Sequence, residues 1–110
     1  KVLIMGYTFK ENCPDTRNTK IIDLYNSLLE FGLTINIVDP WIFNSNEQKI
    51  ENICFIENFN NNRFDAVILA VAHDQFINLK KDDWKNLLNK DGIFFDLKGI
   101  IPRSLNPLRI

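Results

Sequence analysis

The sequence predicts an α/β fold: a Rossmann-like open, mostly parallel sheet of about five strands with helices on both faces. Short apolar runs such as Val67-Ile-Leu-Ala-Val71 are unbroken by charge, as strands buried on both sides are. Between such runs lie segments whose apolar residues recur at helical spacing. The alternation of strand, helix and strand suits right-handed crossovers between parallel strands.

Taken in order, Lys1 to Met5 is apolar and ends at Gly6, which reads as the first strand. A polar loop through Asp15 and Arg17 follows. Ile21, Leu24, Tyr25, Leu28 and Leu29 then mark one face of a helix, with Asn18 or Thr19 placed to cap its start and Gly32 to close its end. Leu33 to Val38 alternates as a second strand, stopped by Asp39-Pro40, whose acid is expected to fix the strand-to-loop turn. Trp41 to Asn52 reads as a loop or short helix, and Ile53 to Ile56 as a brief third strand. The asparagine-rich stretch from Asn58 to Arg63 is too short to separate domains. Phe64 to Ala72 is the strongest strand, Asp82 to Asn89 a helix burying Trp84, Leu87 and Leu88, and Ile93 to Phe95 the last strand.

At 110 residues the chain is one domain by length, too small for the two domains of most nicotinamide-dependent enzymes. Its 13 basic and 14 acidic residues leave no polybasic surface for nucleic acid or anionic membrane. Cys13 and Cys54 are far apart and form no C-x-x-C pair, and His73 is the single histidine, so metal chelation and a disulfide framework lack support. A reducing cytoplasm fits. No apolar run approaches the roughly 20 residues that span a bilayer. The start at Lys1, running straight into a strand without an initiator Met, is expected of a fragment.

In such folds ligands gather at the carboxyl ends of the strands. The loop after the first strand, Gly6 to Thr19, carries Lys10 and Arg17 into a helix start and is suited to an anion. It does not read as a dinucleotide loop. Asp39 stands where a ribose-binding acid often does, but after Gly6 the next glycine is Gly32, so the G-x-G-x-x-G spacing is missing.

Gly6-Tyr-Thr-Phe-Lys10, Asp15-Thr-Arg17-Asn-Thr19, Val38-Asp-Pro40, Val67-Ile-Leu-Ala-Val71 and Phe95-Asp-Leu-Lys98-Gly99 occur in that order. Together they resemble the C-terminal domain of the UDP-glucose/GDP-mannose dehydrogenase family, over Lys1 to about Ile101. Thr8 to Asn18 and Ala70-Val-Ala-His-Asp74 are most similar to the branch that oxidises UDP-N-acetylhexosamines for surface polysaccharides. The resemblance implies that residues 1–110 are the UDP-sugar-binding domain of an NAD-dependent 6-dehydrogenase, a homo-oligomer whose N-terminal domain holds the NAD. It implies that the catalytic cysteine lies upstream, so that neither Cys13 nor Cys54 takes that role and this chain alone is inert. It also implies substrate contacts from Phe9, Lys10 and Lys98, to which Arg17 is added by its place in the anion-suited loop. At Lys98 relatives often carry arginine.

Each of these residues has a plainer reading. Lys10 and Lys98 can be solvated loop lysines, Arg17 can pair with Asp15, and Phe9, Trp41, Phe76 and Trp84 can be packing aromatics. His73 follows a strand, yet without a partner at useful spacing it reads as a local hydrogen-bonding residue rather than a catalytic one. The competing class for the whole chain is a non-enzymatic Rossmann-like nucleotide-binding or regulatory module. Under the dehydrogenase reading, the first loop, the end of the strongest strand and Lys98 share one edge of the sheet.

Overall fold

The structure, a computed structural model, describes residues 1–8, 11–12, 20–43 and 62–109, with the side chains of Ile42 and Phe43 outside that description. Its elements run β1 (Val2–Met5), α1 (Ile21–Glu30), β2 (Ile35–Val38), α2 (Pro40–Phe43), β3 (Phe64–Leu69), α3 (Asp74–Ile77), α4 (Lys81–Lys85), β4 (Leu88–Asp96), a 3-10 turn (Arg103–Leu105) and β5 (Leu108–Arg109). The strands form one sheet in the order β2-β1-β3-β4-β5, and every pairing is parallel. The predicted α/β fold is thus the observed one.

Strand β1 lies between β2 and β3, and its four side chains are all buried, which is why no charge or alternation appears in Val2-Leu-Ile-Met5. Its side chains point alternately to two cores. Val2 and Ile4 join Ile35, Ile37 and Tyr25 beneath α1. Leu3 and Met5 join Val67, Leu69 and Phe94 beneath Phe76 and Trp84, from α3 and α4. Trp84 meets Phe94 edge to face, with ring centroids 6.0 Å apart. Helices therefore cover both faces.

Helix α1 matches its apolar spacing. It ends as expected: Phe31 and Gly32 donate to the carbonyls of Leu28 and Leu29, and Gly32 sits at φ +77°. Its N-cap is Lys20, which makes no side-chain capping bond, while Asn18 and Thr19 lie outside the described residues. The strand read at Ile53 to Ile56 also lies outside them.

Several boundaries differ from the sequence reading; the second strand, for one, starts at Ile35 rather than Leu33. The helix placed at Asp82 to Asn89 is Lys81–Lys85, and Leu88 opens β4, which continues to Asp96. Trp84, Leu87 and Leu88 have helical spacing, but the Leu87 carbonyl accepts the Phe64 N–H at 2.7 Å, so the sheet captures the chain there. Between Leu88 and Ile93 the β3–β4 register breaks, which lets Lys90, Asp91 and Gly92 bulge outward. Strand β3 stops at Leu69; Ala70 and Val71 stay buried but turn to bond the Met5 carbonyl. Strand β5 and the short helix α3 were not anticipated.

Gly6 shows why β1 must end in glycine. Its φ is +106°, and a Cβ there would sit 2.5 Å from Val71 Cβ and 2.8 Å from the Val71 nitrogen. At Gly32 a Cβ would meet open space. We expect Gly6→Ala to lower stability by at least about 2 kcal/mol and Gly32→Ala by only about 1 kcal/mol. Urea unfolding of the two variants checks the order; equal losses would mean that the Val71 approach is relieved at no cost.

Candidate functional site

The connections from β1 leave towards β2 and those from β3 towards β4, so strand order reverses between β1 and β3. The carboxyl ends of these strands are where ligands of such sheets sit. Here that crevice is occupied by the chain's own side chains. Asp39, directly after β2, is completely buried. Its Oδ2 accepts the N–H groups of Tyr7 (2.7 Å) and Thr8 (3.1 Å) from the β1 loop, and Nε2–H of His73 (3.0 Å) from the β3 loop. Its Oδ1 accepts the Trp41 N–H at 2.9 Å, which starts α2. Burial alone would raise the Asp39 carboxyl; the His73 hydrogen bond and the backbone N–H groups outweigh it and hold the acid below its ordinary 3.8.

His73 is equally buried, packed between the rings of Trp41 and Phe76. Its Nδ1 receives the Asn12 N–H at 2.8 Å, and its Nε2 lies 3.1 Å from Thr8 Oγ1. Asn12 is tied a second time, through its side-chain oxygen to the Asp74 N–H at 2.9 Å. These bonds stitch the β1 loop to the β3 loop across the crevice. A pyrophosphate needs backbone approach at that point, and Gly6 is followed by no second loop glycine. The described residues therefore do not fit a dinucleotide.

A second buried acid shapes the neighbouring strand end. Asp96 closes β4; its Oδ1 accepts the N–H groups of Lys98 (3.1 Å) and Gly99 (2.7 Å), and its Oδ2 that of Ile101 (2.8 Å). Arg109 of β5 stands 3.4 Å from the same carboxylate and donates to the Ile101 carbonyl at 2.6 Å. This turn carries Lys98 outward, where its Nζ pairs with Glu11 Oε1 at 3.4 Å, both side chains about two-fifths exposed. The Glu11 carboxyl is held below its ordinary 4.5 by its own backbone N–H and, against some burial, by the Lys98 ammonium.

Lys98 and the described part of the first loop thus share one rim at the carboxyl edge. Phe9, Lys10 and Arg17, together with Cys13, Cys54 and Asp15, lie outside the described residues. Asp39 fixes the turn after β2, as read from the sequence, but it also reaches β1 and β3. His73 is a hydrogen-bonding residue as read, although its carboxylate partner is 34 residues distant rather than local. Asn12, Asp96 and Arg109 were not singled out; the one available signal was an acid directly after an apolar strand, which Asp96 shares with Asp39. Phe76 and Trp84 are core aromatics, whereas Trp41 is partly buried with an indole N–H that has no hydrogen-bond partner among the described residues. Among the described residues no group of three or more His, Cys, Asp or Glu could hold a metal, and no helix is long and apolar enough to cross a membrane.

Residues 3–103 match the model of the UDP-glucose/GDP-mannose dehydrogenase family, UDP binding domain. The chain belongs to this family. It is similar to the UDP-N-acetyl-D-glucosamine 6-dehydrogenase of Pseudomonas aeruginosa, 34% identical over 110 residues that cover all of this chain and 26% of that protein. It is also similar to Protein CapL of Staphylococcus aureus, 40% identical over 100 residues, covering 91% of this chain and 23% of that protein. Among solved structures, a ternary complex of GDP-mannose dehydrogenase from Pseudomonas aeruginosa shares the fold, with a TM-score of 0.72 at 21% identity over 93% of this chain and 25% of that one. The chain spans about a quarter of the length of the relatives it matches.

Removing the Asp39 charge should unfasten this edge. Asp39→Asn sets an amide donor against N–H groups, and we expect a loss of about 3 kcal/mol at neutral pH. The depressed folded value fixes the pH dependence: the stabilisation is complete above 3.8 and drains away as pH falls from there through the lower folded value. Urea titrations of wild type and Asp39→Asn from pH 7 to pH 2.5 check this. The gap between them should be constant above about pH 5 and narrow in acid; a gap that widened in acid would contradict the ionised Asp39 described above.

Proposed function

We propose that this chain is the substrate-binding domain of an NAD-dependent UDP-sugar 6-dehydrogenase, acting on a UDP-N-acetylhexosamine. The observation that carries the reading is the Glu11–Lys98 contact, which joins the first-loop motif to the strand-end lysine on one rim of a family domain. The relatives named for UDP-N-acetyl-D-glucosamine support the sugar class.

In this reading Phe9 packs against the nucleotide sugar, and Lys10, Arg17 and Lys98 offer positive charge to its phosphates and sugar oxygens. The NAD is bound by another part of a longer polypeptide, since neither the glycine spacing nor the filled crevice suits it here. The domain holds and orients the substrate; oxidation of the C6 alcohol to a carboxylate happens elsewhere in a cytoplasmic, homo-oligomeric enzyme that supplies uronates for surface polysaccharide. An open apolar groove of about 360 Å³, lined by Leu24, Leu28, Ile68, Phe95 and Leu97, supports docking against the rest of that enzyme.

Charge-assisted contacts are worth roughly 1.5 to 3 kcal/mol, so Lys10→Ala and Lys98→Ala should each weaken UDP-N-acetylglucosamine binding by about ten- to hundredfold in the full-length protein. Affinity for NAD and thermal stability should barely change. Calorimetric titration of both ligands, with thermal melts alongside, is the test. Unaltered UDP-sugar affinity in both variants would remove the rim from the substrate site, and NAD reduction by the 110-residue chain alone would overturn the division of labour.

A further inference from the structure

The crevice at the switch point is closed by an imidazole that makes no use of solvent. His73 is fully buried, so it cannot touch a ligand on the rim, and both its nitrogens are engaged. A backbone N–H can only donate, so Nδ1, which receives the Asn12 N–H, carries a lone pair. The ring proton is therefore on Nε2, directed at the Asp39 carboxylate and close to Thr8 Oγ1. Asp39 selects the tautomer, and the tautomer provides the acceptor for Asn12.

The consequence falls on the first loop. Thr8 and Asn12 are both tied to His73, and Phe9, Lys10 and Glu11 are the residues between them. Asn12 adopts φ +56°, a left-handed conformation that asparagine tolerates, and its second bond to the Asp74 N–H fixes it further. Thr8 and Asn12 are thus both held at one buried ring.

We propose that His73, set by Asp39, is the positioning residue of the substrate rim: it fixes Thr8 and Asn12 and thereby the edge on which Glu11 meets Lys98 and a nucleotide sugar is received. The inference rests on the reading that this rim binds UDP-sugar. A loop ordered before binding loses less freedom on association, so cutting the tether weakens substrate affinity without any lost contact to the substrate.

Two measurements test it. The first is imidazole nitrogen NMR on the 110-residue chain, which builds a core on each face of its sheet from its own residues and has His73 as its single histidine. At neutral pH the spectrum should show a protonated Nε2 and a bare Nδ1; the opposite tautomer overturns the proposal. The second is titration of UDP-N-acetylglucosamine and NAD into full-length wild type, His73→Gln and His73→Asn. Glutamine keeps a donor near Nε2 but misplaces the acceptor, whereas asparagine keeps an acceptor near Nδ1.

His73→Gln should bind the UDP-sugar about tenfold more weakly, His73→Asn should recover most of that loss, and NAD affinity should not move in either. A residue that served packing alone would treat both ligands alike and show no such rescue. Wild-type affinity in His73→Gln overturns the positioning role while leaving the binding-domain reading intact; a wild type that binds no UDP-sugar removes that reading itself. Should His73→Gln fail to fold, the tautomer measurement on the wild type decides: a bare Nδ1 with a protonated Nε2 supports the tether, and the opposite tautomer overturns it.

Discussion

The Asp39 carboxylate is the interaction on which the carboxyl edge of this sheet depends. It is fully buried, and it survives as an anion because four donors from three different connections converge on it. A buried carboxylate without them would cost several kcal/mol or take up a proton. With them it holds the ends of β1 and β2 together, starts α2 and orients His73. The loops that leave the sheet at the switch point are thereby fixed to one another, and the crevice that other doubly wound sheets give to a dinucleotide is filled.

Asp96 repeats the device at the end of β4. Its carboxylate gathers the N–H groups of residues 98, 99 and 101 and meets Arg109 from the edge strand. Two acids, one directly after β2 and one ending β4, thus shape the edge from which Lys98 and Glu11 project. The binding surface proposed for the nucleotide sugar is the outer rim of these two turns rather than a pocket between strands. A rim suits a domain that lays one side of a ligand against the remainder of a larger enzyme, and the exposed apolar side beside β4 is consistent with such a neighbour.

Much of this was legible in the residues. Unbroken apolar runs marked β1 and β3, helical spacing marked α1, and the missing glycines argued against a cofactor loop. Position after strand ends placed Lys98 and the first loop on one edge of the sheet. What was not legible is long-range. Nothing local in Ala70-Val-Ala-His73 points to an acid 34 residues earlier, because the pairing exists only once β1, β2 and β3 are aligned. Leu88 read as helix because its spacing from Trp84 is helical; the competing bond from Phe64 decides otherwise. Strand β5 is two residues long, too short to alternate, and it is fastened through Arg109 to Asp96 rather than by an apolar pattern.

On the proposed function, the carboxyl rim of this sheet receives the nucleotide of a UDP-sugar. Amide chemical-shift mapping of the isotopically labelled chain, titrated with UDP, addresses it directly. Shifts should concentrate at Asn12, His73, Lys98 and Gly99, with Arg63, Asn89 and Gly92 at the opposite end of the sheet unmoved. Shifts concentrated at that opposite end, or none at saturating UDP, would contradict it.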